Sequence, residues 1–149
     1  MDYQQSRAYI RDAEQYAGGA LDLTNIKEIM KRLGNPQDQL KYVHVAGTNG
    51  KGSVIAYLYT TLTNAGYHVG RYISPSVYSY REKIEVEGTP ISREQFAKHT
   101  TRVAAVIEEM TAEGLAHPTP FEIETAVAFL FFVEEKCDPV ILEVGMGGI

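Results

Sequence analysis

The chain has 149 residues, with 14 Lys and Arg against 19 Asp and Glu, a net charge of −5, one Cys and no Trp. That length suits one compact domain with a real core, and 44% hydrophobic with 22% charged residues excludes a disordered or low-complexity chain. The acidic balance leaves no basic face for nucleic acid or an anionic membrane, so a negatively charged ligand must be held locally. The lone Cys137 has neither a disulfide partner nor a CxxC neighbour, which fits a reducing cytoplasm. The opening MDYQQSRAYI lacks a secretory pattern, and the longest apolar run, Ala126 to Val133, is too short to span a bilayer.

The first 35 residues read as helical, with Leu23, Ile26, Ile29, Met30 and Leu33 on one face and Gly34-Asn35-Pro36 as the stop. Residues 41–46, KYVHVA, read as a short strand that runs into Gly47-Thr48-Asn49-Gly50-Lys51-Gly52-Ser53. Val54 to Ala65 then reads as a helix ended by Gly66, and Tyr67 to Ile73 as the next strand. Strand, glycine loop, helix and strand make a βαβ unit and imply a parallel sheet.

Residues 74–90 combine Pro, Ser and Gly with an alternating KIEV stretch, predicting a long loop and then a small strand or hairpin. Ser92 and Gln95 form a capping box for a helix to about Met110, with a loop over Ala112 to Pro118. Thr119-Pro120-Phe121-Glu122 opens a helix to about Lys136, and Pro139 to Val144 reads as a buried strand. The pattern predicts one α/β domain with a mostly parallel sheet flanked by helices. Because VILEVGMGGI ends on a glycine turn, a truncated chain is expected.

GTNGKGS between a strand and a helix is the most informative segment. Small residues let backbone N–H groups converge on phosphate oxygens, the helix adds its positive end, and Lys51 adds a mobile charge. The strict P-loop signature fails, since Gly52 follows Lys51 and Val45 stands at the first glycine position. A tight turn with an exposed lysine is the plain alternative; the strand and helix context favours phosphate. Glu143 inside VILEVG is costly to bury unless paired or bound to a metal. Ser74 before Pro75 reads alone as a turn residue, and TPFE reads alone as a capping box with Pro at the first helical position. His44, inside a strand, and Cys137, at a helix end, read as packing residues. His68, His99 and His117 have no ligand-like spacing, and Arg102 to Glu113 reads as a solvated face.

HVAGTNGKGSV resembles the nucleotide loop of folylpolyglutamate synthases and dihydrofolate synthases, within the wider Mur ligase superfamily. LDLTNI at 21–26, ISPSVYSYREKIEVEG at 73–88, TPFE at 119–122 and ILEVGMGG at 141–148 agree in order and approximate spacing. Mur ligases share the GTNGK core but place a UDP-sugar domain before it, and only about 40 residues precede it here, too few for such a domain. A nucleotide-binding module without ligation is the other competing reading.

The resemblance implies a P-loop-like Mur ligase central domain, incomplete here. It would be the nucleotide-binding part of a cytoplasmic, monomeric enzyme that uses ATP and Mg²⁺ to join L-glutamate to a pteroate or folate through an acyl phosphate. It implies that Gly47, Thr48, Asn49, Gly50, Lys51, Gly52 and Ser53 wrap the triphosphate, and that Ser74 and Glu143 bind Mg²⁺. Lys51 and Glu143 would be the catalytic pair, and Asp22, Leu23, Thr24, Asn25, Thr119, Pro120, Phe121 and Glu122 would meet the pterin. Tyr78, Tyr80 and Arg81 would cover the folate, with Lys83 keeping a positive charge nearby. The family pattern continues beyond EVGMGG into a glutamate-presenting C-terminal domain, so these 149 residues are expected to bind nucleotide without turning over.

Overall fold

A computed structural model describes residues 1–18, 23–45, 51–74 and 79–144. The chain divides into two compact units, Met1–Gln37 with Ser92–Phe131, and Asp38–Ile91 with Phe132–Ile149.

The first unit is helical. Helix α1 (Tyr3–Asp12) starts with a capping box in which Asp2 Oδ1 accepts from the Gln5 amide at 2.7 Å, satisfying an orphan donor of the first turn. A 3₁₀ turn, Ala13–Tyr16, follows, and α2 spans Thr24–Arg32. Gly34 at φ 88° and Asn35 at φ 56° close α2, their amides bonding back to Lys31 and Met30 carbonyls; this left-handed stop is the one the Gly-Asn-Pro sequence predicts. Helix α4 (Arg93–Ala112) is capped by Ser92 with Gln95, as its sequence predicts. It buries Phe96, Thr100, Val103, Ile107 and Met110 along one stripe while Arg102, Glu108 and Glu109 face solvent. Arg32 on α2 reaches Glu113 at the end of α4 with a bidentate pair at 2.6 and 2.8 Å, which holds the Glu113 carboxyl below its usual range. Helix α5 (Pro120–Glu134) is buried on nearly every side from Ile123 to Phe132, as its unbroken apolar run requires.

The second unit holds a five-stranded sheet in the order β1-β5-β2-β3-β4. Strands β1 (Tyr42–Val45), β5 (Val140–Val144) and β2 (Gly70–Ser74) are parallel, and β3 (Ile84–Val86) and β4 (Thr89–Pro90) add an antiparallel hairpin at β2. The sheet is therefore mixed. The βαβ reading gives the direction of β1 and β2 correctly, but β5 lies between them. Its apolar VILEV, with Val140 and Ile141 fully buried, is the middle one of the three parallel strands, with a neighbour on each side.

Helix α3 (Lys51–Asn64) covers one face of this sheet, packing Leu58, Tyr59 and Leu62 against Val43, Val45, Val69 and Ile141. On the other face Gly70 is a packing requirement. A Cβ there would lie 2.8 Å from a Phe132 ring carbon and 3.1 Å from Cys137 Sγ. Cys137 is buried, as its sequence position suggests, but His44 is exposed, correcting its reading as a packing residue. β1 is an edge strand whose alternation turns Val43 and Val45 towards α3 and leaves Tyr42 and His44 on the exposed side.

Burial pushes the Tyr9 and Tyr59 phenols and the Cys137 thiol each up to about 12, from ordinary values of 10.0 and 9.0. All three are neutral when protonated, so their raised folded values stabilise the fold fully below the unfolded values. That contribution is lost as pH climbs towards the folded ones. The urea-unfolding midpoint is expected to be level near about pH 8 and to fall steadily from about pH 9 to 12. A level midpoint across that window would contradict the burial of these groups.

Candidate functional site

The parallel strands deliver their carboxyl ends to one edge. Val45, Glu143 and Ile73 form a single row across β1, β5 and β2, and Ser74 pairs with Val144 in the next row. Glu143 is half-buried and, two positions after Ile141, lies on the face that α3 covers. Residues 46–50, which include Gly47, Thr48, Asn49 and Gly50, lie outside the described residues. The chain re-enters the described structure at α3, whose first turn is Lys51, Gly52 and Ser53. The helix therefore begins earlier than the expected Val54. The first-turn amides of any helix lack intrahelical acceptors and carry its positive end, so they favour an anion.

Arg71 on β2 and Glu85 on β3 sit opposite each other in the register, their side chains 3.7 Å apart at closest approach. Burial holds the Glu85 carboxyl above its usual range, an effect that Arg71 only partly offsets. Nothing in the local sequence pairs these two residues, because only the antiparallel register of β2 and β3 sets them opposite.

The predicted pterin stretches belong to the helical unit. Thr119 and Glu122 make the reciprocal cap of α5. Glu122 Oε1 accepts from the Thr119 amide at 2.9 Å, and Thr119 Oγ1 accepts from the Glu122 amide at 3.3 Å. The carboxylate and hydroxyl are thus committed to the helix start, leaving Phe121, 40% exposed, as the large side chain of this stretch open to a ligand. Asp22 lies outside the described residues; Leu23 is 50% exposed, and Thr24 and Asn25 open α2. Each predicted pterin stretch therefore presents one exposed apolar side chain.

Tyr78 falls outside the described residues. Tyr80 and Arg81 belong to a 3₁₀ turn, Tyr80–Lys83, in which Arg81 Nη1 donates to the Ile91 carbonyl at 3.0 Å and Lys83 Nζ lies 4.6 Å from the Tyr80 ring centroid. Both cations thus have partners within their own unit. Among the described residues no helix is long and apolar enough to cross a membrane.

Parallel strands ending on one edge, with a glycine-rich segment leading into a covering helix, define an α/β protein. No family model matches the chain. It is 41% identical over 147 residues to the dihydrofolate synthase/folylpolyglutamate synthase of Bacillus subtilis, which covers 98% of this chain and 34% of that protein. The crystal structure of folylpolyglutamate synthase from Thermotoga maritima superposes with a TM-score of 0.84 at 35% identity, over 97% of this chain and 34% of that one. A folylpolyglutamate synthase in complex with AMPPCP and folate superposes at 0.85 with 33% identity, over 99% of this chain and 36% of that one. The chain belongs to the folylpolyglutamate synthase and dihydrofolate synthase family. It spans about a third of the length of these relatives.

Proposed function

We propose that this chain binds ATP and a pteroate or folate within an ATP-dependent ligase that joins L-glutamate to dihydropteroate, to folate polyglutamates, or to both. The observation that carries the reading is the single edge at which β1, β5 and β2 end, with Val45 and Glu143 in one row and Ser74 in the next. The relatives are nearly three times as long, so ligation is assigned to the full-length protein and nucleotide binding to these residues.

A carboxylate is a poor electrophile at neutral pH. On this reading one of its oxygens attacks the γ-phosphorus, the bond to the β-phosphate oxygen breaks, and ADP leaves with that electron pair. The neutral amine of glutamate then attacks the acyl carbon; the C–O bond to phosphate breaks, inorganic phosphate leaves, and the amine gives up a proton. Residues 47–53 wrap the triphosphate, with Lys51 neutralising the β and γ oxygens and the first-turn amides of α3 holding them in line. Glu143 and Ser74, near the carboxyl ends of the adjacent strands β5 and β2, are residue types whose oxygens suit Mg²⁺; an ion held at that edge would supply charge neutralisation. Phe121 and Leu23 give the pterin ring apolar walls.

ADP release by the full-length protein tests this reading. Release should require glutamate together with a pteroate or folate, and parallel assays with dihydropteroate and tetrahydrofolate identify the acceptor. Equal phosphate release without glutamate would make the protein a nucleotide-hydrolysing module rather than a ligase.

A further inference from the structure

A ring stack stands just upstream of both proposed pterin stretches. Tyr16 ends the 3₁₀ turn Ala13–Tyr16 shortly before Asp22, and His117 stands shortly before Thr119. Distant in sequence, the two rings lie face to face with centroids 4.2 Å apart at 14°, and Tyr9 flanks His117 at 6.0 Å. The imidazole is also held from its other end: Nδ1 lies 2.8 Å from the carbonyl oxygen of Pro118, a contact that requires the proton on Nδ1. Pro118 is itself buried, so the ring is tied to a fixed point at the entrance to the Thr119 cap.

Core filling does not account for this stack. Tyr16 is 45% exposed and His117 is only half-buried, whereas Ile10 at 3% and Ala13 at 1% already seat this end of α1. The stack joins the end of the 3₁₀ turn Ala13–Tyr16, which precedes α2 in the chain, to the residue before Pro118, which precedes the Thr119 cap of α5. Between Tyr16 and the first pterin stretch stands Gly18, at φ 95°, a residue that loses much backbone freedom when ordered.

We infer that Tyr16 and His117 are positioning residues that fix the two pterin-contacting stretches relative to each other and thereby set affinity for the pteroate portion of the substrate. The inference rests on the proposed function. Without the stack each stretch samples more conformations, and the cost of ordering them is met when the pterin binds. ATP, held by a different unit, is indifferent to the change.

The test uses the full-length protein with Tyr16→Ala, His117→Gln and the ring-retaining Tyr16→Phe. Dihydropteroate binding is followed by pterin fluorescence and ATP binding by calorimetry, with a thermal melt for each variant. Tyr16→Ala and His117→Gln should raise the pteroate dissociation constant roughly three- to tenfold, the range a ring pair is worth, with ATP affinity unchanged. Tyr16→Phe should restore wild-type pteroate affinity, which a role for the phenol oxygen would not. Unchanged pteroate affinity in the first two variants, or equal weakening towards ATP, overturns the positioning role. A wild-type protein that binds ATP but no pteroate overturns the functional reading, and the positioning role falls with it.

Discussion

Lys51→Ala is expected to weaken ATP binding roughly 10- to 100-fold, the loss that follows when hydrogen bonds to a charged group are removed. The lysine opens α3, where backbone amides already favour an anion, so part of the affinity survives in the variant. Its ammonium is the one mobile positive charge that the segment GTNGKGS brings to a chain of net charge −5, and no general basic surface can take its place. Titration of ATP with Mg²⁺ into both proteins by calorimetry measures the effect. Added salt should weaken the wild type more than the variant, because the lost contact is ionic. Equal affinities would remove Lys51 from the site. Pteroate binding serves as the internal control and should not change, since its proposed contacts belong to the helical unit.

What the sequence made legible follows from how local each signal is. The caps of α4 and α5, the Gly34 stop and the apolar β5 are written in neighbouring residues, and each appears where expected. The placement of β5 between β1 and β2 is a long-range pairing that no local pattern specifies, and the exposure of His44 follows from the edge position this pairing gives β1. Spacing in the sequence can point to metal ligands but carries no signal for rings that meet only in the fold, such as those of His117 and Tyr16. For the candidate site, residue types pointed to Glu143 and Ser74, but only strand register shows them one row apart on adjacent strands. The Thr119 and Glu122 cap narrows the proposed pterin contact in that stretch towards Phe121, a discrimination that TPFE alone did not permit.

Phe96→Ala should cost about 3–5 kcal/mol, the usual range for deleting a fully buried aromatic ring. Phe96 has no solvent exposure, and the Tyr3 ring meets it edge-on with centroids 5.5 Å apart at 68°. Its removal therefore forfeits apolar burial, one aromatic contact and the packing of α1 on α4 together. A domain of this size has only about 5–15 kcal/mol in total, so the variant sits near the threshold of folding. Phe96→Leu keeps most of the volume and should cost markedly less, which separates a cavity effect from loss of the ring contact. Arg93→Ala is the contrasting control. Its guanidinium lies 5.3 Å from the Tyr3 ring centroid at the end of the same cluster, and truncating it should cost under about 1 kcal/mol. Urea unfolding reads all three as shifts in midpoint at constant slope. A Phe96→Ala loss no larger than that of Arg93→Ala would show that the space left by the ring collapses, and that the α1–α4 contact is held from elsewhere.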